Sequence, residues 1–141
     1  MEAYRAVREM RDRYPDKAVT FYAQQYSDYG WAILMAGGSL PNIPIHRLTA
    51  STLQQSFLKD LSLMTPMDGD GCLMIGSHEK GYLIYTQKKD FRAPVVSGKY
   101  NVYTIDKRNG TVTLTRKSLS LRDSFSDQDA GENKVIWLKR Q

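Results

Sequence analysis

The chain has 141 residues, 41% apolar and 25% charged, with 20 Lys and Arg against 15 Asp and Glu and a net charge of +5. This is globular composition with room for one modest core, and it excludes two full domains, a collagen-like repeat and wholesale disorder. The longest apolar run, Trp31 to Ala36, falls far short of the roughly 18 residues of a membrane span, and the basic residues are interleaved with acids, so neither a membrane span nor a nucleic-acid partner is expected.

Ala3, Val7, Met10 and Tyr14 recur at helical spacing and predict an amphipathic helix ending before Pro15. The β-prone run Ala18 to Tyr22 predicts a buried strand. Tyr29 to Ala36 is apolar on every side and stops at Gly37-Gly38, which predicts a short helix buried all round, capped by Ser27 or Asp28. Helix, strand, helix is a piece of the alternating pattern that builds parallel sheets, yet only one such strand is present. Either this unit packs on the later β part, or it is the last β/α unit of a longer protein; the abrupt start favours the second. The two differ in one respect: the first buries Trp31, Ile33, Leu34 and Met35 internally, and the second leaves them as an exposed apolar patch.

Between Leu40 and Met67 three prolines flank a predicted helix over 49–61, with Leu53, Phe57, Leu58 and Leu61 as its stripe and Ser51 or Thr49 as its cap. Beyond it the period changes to two. Residues 71–76 and 81–86 predict a hairpin, 91–96 a weak edge strand broken by Pro94, and 100–105 with 111–115 a second hairpin in which Asn109-Gly110 supplies the positive-φ residues. After a polar segment, Lys134 to Leu138 predicts a closing strand.

Chemistry-bearing residues are sparse. Sugar hydrolysis uses two carboxylates about 5–10 Å apart on fixed elements, but the acids from Asp60 to Glu132 fall in turns or at element ends, where solvation and capping already explain them. Asp68-Gly-Asp70 and Asp127-Gln-Asp129 start like calcium loops without completing the ligand series. His46 and His78 are the only histidines, and Cys72, the only cysteine, permits no internal disulfide. No catalytic residue, cofactor or metal site is therefore assigned. Of the strand aromatics Tyr82, Tyr85, Tyr100, Tyr103 and Trp137, Tyr82 and Tyr85 fall on opposite faces, as do Tyr100 and Tyr103, so at least half are core and no single exposed platform is defined. Tyr22, Gln24, Gln25 and Tyr26 follow the parallel-type strand at its C-terminal end, the face on which β/α barrels bind substrate.

The successive segments AYRAVREMRDRYPDKAVTFY, YGWAILMAGGSLPNIP, FLKDLSLMTPMDGDG, GYLIYTQ, GKYNVYTIDKRNGTVT and VIWLKR resemble the C-terminal end of secreted bacterial (β/α)8 glycoside hydrolases and related glycosidases, over nearly the whole chain. The resemblance implies an α+β fold: a helix-strand-helix remnant of a (β/α)8 barrel over 1–40, a connector with one helix over 41–67, and an antiparallel β-sandwich-like accessory domain over 68–141. It implies catalytic acids in an upstream barrel portion of the same protein, a glycan or polysaccharide substrate, a periplasmic or extracellular location, and a chain inactive by itself. Tyr22, Gln24, Gln25 and Trp31 match the last barrel strand and the start of its helix, so they are the candidate substrate contacts. The alternative is a free-standing β-rich binding or interaction module.

Overall fold

The computed structural model describes residues 2–21, 28–39, 41, 43–44, 51–128 and 130–141. In chain order these form α1 (Glu2–Arg13), α2 (Asp28–Met35), α3 (Thr52–Leu61), β1 (Thr65–Asp68), β2 (Cys72–Ser77), β3 (Gly81–Thr86), β4 (Ala93–Pro94), β5 (Gly98–Ile105), β6 (Val112–Leu121), β7 (Ser124–Phe125) and β8 (Val135–Arg140). The fold is α+β. Its centre is a six-stranded sheet in the order β1-β2-β3-β8-β5-β6, in which every pairing is antiparallel, and β4 pairs with β7 in a separate two-stranded sheet.

Alternation along the strands sorts the core into two sides. Leu73, Ile75, Leu83, Tyr85, Tyr103 and Trp137 face the helices, where they pack with Trp31 and Met35 of α2 and Phe57 of α3. Met74, Tyr82, Ile84, Tyr100, Val102 and Ile136 face the other way, against Ala93 of β4 and Phe125 of β7. The tyrosine pairs divide as alternation requires. Tyr82 and Tyr100 lie with ring centroids 6.1 Å apart, and both hydroxyls are tied to Val96, whose N–H donates to Tyr82 Oη and whose carbonyl accepts from Tyr100 Oη.

The sheet ends in two differently blunted edges. Pro66 lies in edge strand β1, where proline is tolerated and hinders the addition of a further strand. On the opposite edge, β6 carries Arg116 and Lys117 and is bent where Ser118 takes φ 49°; the Ser118 N–H donates to Asn101 Oδ1, 3.1 Å away. Charge and irregularity of this kind suppress edge-to-edge pairing.

The helices follow the apolar pattern. Ala3 and Val7 of α1 are buried, and Val7 packs with Ile33 and Ala36 at the end of α2. The second half of the α1 stripe is open, with Met10 43% and Tyr14 45% exposed. Helix α2 ends in a Schellman motif: Gly38 N–H donates to Ile33 O and Gly37 N–H to Leu34 O, with Gly37 at φ +80°. Helix α3 is capped by Ser51, whose Oγ accepts from Gln54 N–H at 3.3 Å.

Two expectations are corrected. Residues 18–21 form no strand, and all but half-buried Val19 are exposed; among the described residues no strand lies beside this β-prone segment to complete its hydrogen bonds. Tyr22 lies outside the described residues. The β5–β6 turn is built on Asp106, and of Asn109-Gly110 only Gly110 has positive φ, at 74°. The expected last strand forms as Val135–Arg140 and lies inside the sheet, between β3 and β5.

Candidate binding groove beside the β5–β6 hairpin

The turn linking β5 to β6 is held from within and from beneath. Asp106 Oδ1 accepts the N–H groups of Arg108 (2.8 Å) and Asn109 (3.0 Å), and Asn109 Oδ1 accepts that of Thr111 (2.8 Å). These backbone donors favour the ionised carboxylate and hold the Asp106 pKa below its ordinary value, with Arg108 and Lys134 adding smaller electrostatic contributions. From beneath, Trp31 Nε1 donates to Lys107 O at 3.1 Å, and Gln54 Nε2 donates to Gly110 O at 3.4 Å. The turn is thus pinned to α2 and α3, far away in sequence.

A second anchored segment faces it. Thr86 is fully buried, and its Oγ1 donates to Gly131 O (2.8 Å) while accepting Lys134 N–H (3.0 Å). Thr86 O accepts Asn133 N–H at 2.8 Å, and Asn133 takes φ 58°. Asn133 Oδ1 also accepts the Tyr85 hydroxyl at 3.1 Å. One buried threonine therefore sets the place of both Asn133 and Lys134 just before β8.

Between these two anchored pieces lie adjoining hollows of about 670 and 310 Å³ that share Thr104, Thr115 and Lys134. Thr104 is the register partner of Thr113, and alternation puts Thr113 and Thr115 on one face of β6. The result is a short ladder of hydroxyls opposite Asn133 and Lys134. The lining carries four cations, Lys107, Arg108, Arg116 and Lys134, against two acids, Asp106 and Asp127. Arg116 pairs with Asp127 at 3.0 Å, and Lys107 sits over the Tyr85 ring at 5.5 Å; Arg108 and Lys134 are near Asp106, whose Oδ1 is bound into its own turn.

Of the residues singled out in sequence, Tyr22, Gln24, Gln25 and Tyr26 lie outside the described residues. Trp31 is 1% exposed, so its ring presents no face to solvent; its place is underneath the groove, where it holds the turn. His78 is exposed and His46 lies outside the described residues. Among the described residues no group of three His, Cys, Asp or Glu could hold a metal ion. Asp70 spends its backbone on a bridge to Arg92, so Asp68-Gly-Asp70 serves as a turn. Cys72 is buried, and burial, with Asp70 nearby, pushes its thiol pKa up to about 12; a thiol so strongly protonated is a poor nucleophile.

Ser56 and Lys139 approach each other between α3 and β8, the residue types of a serine–lysine dyad. Asp60, buried on α3, lies 3.7 Å from Lys139 Nζ, and the same ammonium sits over the Trp137 ring at 5.1 Å. An ammonium held by a carboxylate has no lone pair to accept the serine proton, so this cluster fastens α3 to the sheet.

The groove residues escaped the sequence reading because Thr104, Thr113, Thr115, Asn133 and Lys134 come from three separate segments. The one local signal was the alternating Thr of Thr111-Val-Thr-Leu-Thr115 beside the turn.

Residues 1–64 match a domain of unknown function, DUF6298. No curated protein and no solved structure matches the chain. The groove, formed by residues from 102 onward, lies outside the matched segment.

Proposed function

We propose that the chain is the C-terminal part of a carbohydrate-active enzyme of the glycoside hydrolase kind, acting outside the cytoplasm, and that its sheet is a non-catalytic element that contacts glycan. The observation that carries this reading is the groove beside the β5–β6 hairpin: hydroxyl, amide and cationic side chains line it, suited to a hydroxyl-rich ligand, and its acids are committed to a turn and to an ion pair. Hydrolysis needs two free carboxylates flanking one bond. On this reading those acids belong to an upstream barrel, which would pack on the open side of α1, where Met10, Tyr14 and Phe21 border an apolar groove of about 590 Å³.

Affinity electrophoresis of the purified chain against a panel of soluble polysaccharides tests this. Retardation by at least one glycan, with no release of reducing ends, is expected. Absence of retardation across the panel, or reducing-end release that persists through purification, refutes it.

A second reading, a self-contained binding module, is favoured by one observation: Trp31, Ile33 and Met35 are buried, and Trp31 and Met35 share a core with the sheet. Hydrogen exchange separates the two. On both readings α2 is protected together with 72–140; equal protection of α1 favours the module, and weak protection confined to α1, whose Met10 and Tyr14 are exposed, favours a unit that needs the rest of an enzyme.

A further inference from the structure

Resting on the glycan-contact reading, we infer that the groove beside the β5–β6 hairpin is selective for an acidic saccharide, one whose carboxylate is taken by Arg108 and Lys134 while its hydroxyls meet the threonine ladder. The inference follows from what the groove has left to offer. Much of its acceptor capacity is engaged internally: Asp106 Oδ1 holds two backbone N–H groups, Asn109 Oδ1 a third, and Asn133 Oδ1 the Tyr85 hydroxyl. Its donors remain. Among the described residues, neither Arg108 nor Lys134 forms an ion pair, and the amide nitrogens of Asn109 and Asn133 donate to no protein group.

A groove with much of its acceptor capacity engaged and with open cationic donors selects a ligand rich in acceptors and carrying negative charge, because charge-assisted bonds are roughly twice as strong as neutral ones. A guanidinium fork matches a carboxylate in plane and spacing, and a nearby ammonium adds an undirected charge. The backbone that carries each cation is fixed in advance: Arg108 belongs to a turn pinned on Trp31 and Gln54, and the Lys134 N–H donates to buried Thr86. Less ordering entropy is then lost on binding than at a floppy lysine patch.

The test titrates the intact chain with polygalacturonate, with its fully methyl-esterified form, with dextran, with dextran sulfate and with a single-stranded oligonucleotide. Polygalacturonate alone should bind well. Arg108→Gln and Lys134→Gln should each weaken it about tenfold, the size of one lost charge-assisted bond, while Lys59→Gln, with the same change in net charge, leaves it unchanged. Salt should weaken the interaction. Equal binding of the esterified or neutral polymers overturns the inference but leaves the glycan reading standing. Equal binding of dextran sulfate and oligonucleotide shows general polyanion attraction and overturns it too. Failure of every polysaccharide overturns both. Circular dichroism of each variant confirms folding, and a loss of binding by Lys59→Gln equal to that by Arg108→Gln overturns the assignment of the site.

Discussion

Replacing Trp31 by alanine is the most informative single perturbation, because that residue joins the N-terminal helices to the sheet and supports the groove at once. Its side chain is 1% exposed and packs in the core formed with Phe57, Tyr103 and Trp137. Burying a tryptophan removes about 150–250 Å² from water, and truncation of such a side chain to alanine costs about 3–5 kcal/mol. The lost N–H to Lys107 O adds about 1 kcal/mol. The sum, about 4–6 kcal/mol, is a large part of the 5–15 kcal/mol available to a typical domain, and at roughly 3 °C per kcal/mol for a chain of this size it lowers Tm by about 12–18 °C. Trp31→Phe keeps most of the packing and should cost only about 1–2 kcal/mol. Urea titration with far-UV circular dichroism measures both. If Trp31→Ala unfolds within about 1 kcal/mol of the parent chain, α2 is not part of the sheet's cooperative core, and the reasoning that ties helices, turn and groove into one unit is refuted.

Thr86→Val keeps the shape of a fully buried side chain but strands Gly131 O and Lys134 N–H, so it should cost about 1–3 kcal/mol in a urea titration and weaken polygalacturonate binding through the displaced Lys134. Cys72, buried with its pKa near 12, should resist a thiol reagent at pH 8 in the folded chain and react fully in denaturant. Its raised folded value also fixes a sign: the unfolded thiol ionises first, so this group's contribution is intact below about pH 8.5 and stability falls as pH rises through the window up to about 12. Asp106 runs the opposite way. Its lowered folded pKa gives a contribution present above the ordinary aspartate value of 3.8 and lost as pH falls through the folded one; the difference in urea midpoint between the parent chain and Asp106→Asn should therefore shrink on acidification.

Much of the architecture was legible in the residues themselves. The stripe from Leu53 to Leu61 with Ser51 before it specifies α3 and its cap, Gly37-Gly38 after an all-apolar run specifies where α2 stops, and the switch to period two after residue 67 announces the strands. These features depend on neighbours within a few positions along the chain. Alternation likewise divided Tyr82 from Tyr85 and Tyr100 from Tyr103 before any partner was known.

What alternation does not carry is strand order. Val135–Arg140 reads as a last strand and becomes an interior one, because pairing with both β3 and β5 buries Ile136 and Leu138 on one face and Val135 and Trp137 on the other. The β-prone run at 18–21 reads as a strand and is not one, since a strand exists only where another backbone completes its hydrogen bonds. The groove is of the same kind. A turn at 106–110, threonines on two strands and a lysine beyond a long polar segment have nothing in common along the chain; they meet because antiparallel register sets Thr104 against Thr113 and because a buried hydroxyl at Thr86 and an indole at Trp31 fix the two loops that flank them. Local chemistry determined the elements of this protein, whereas the pairing of distant backbones decided which of its side chains stand together and face solvent.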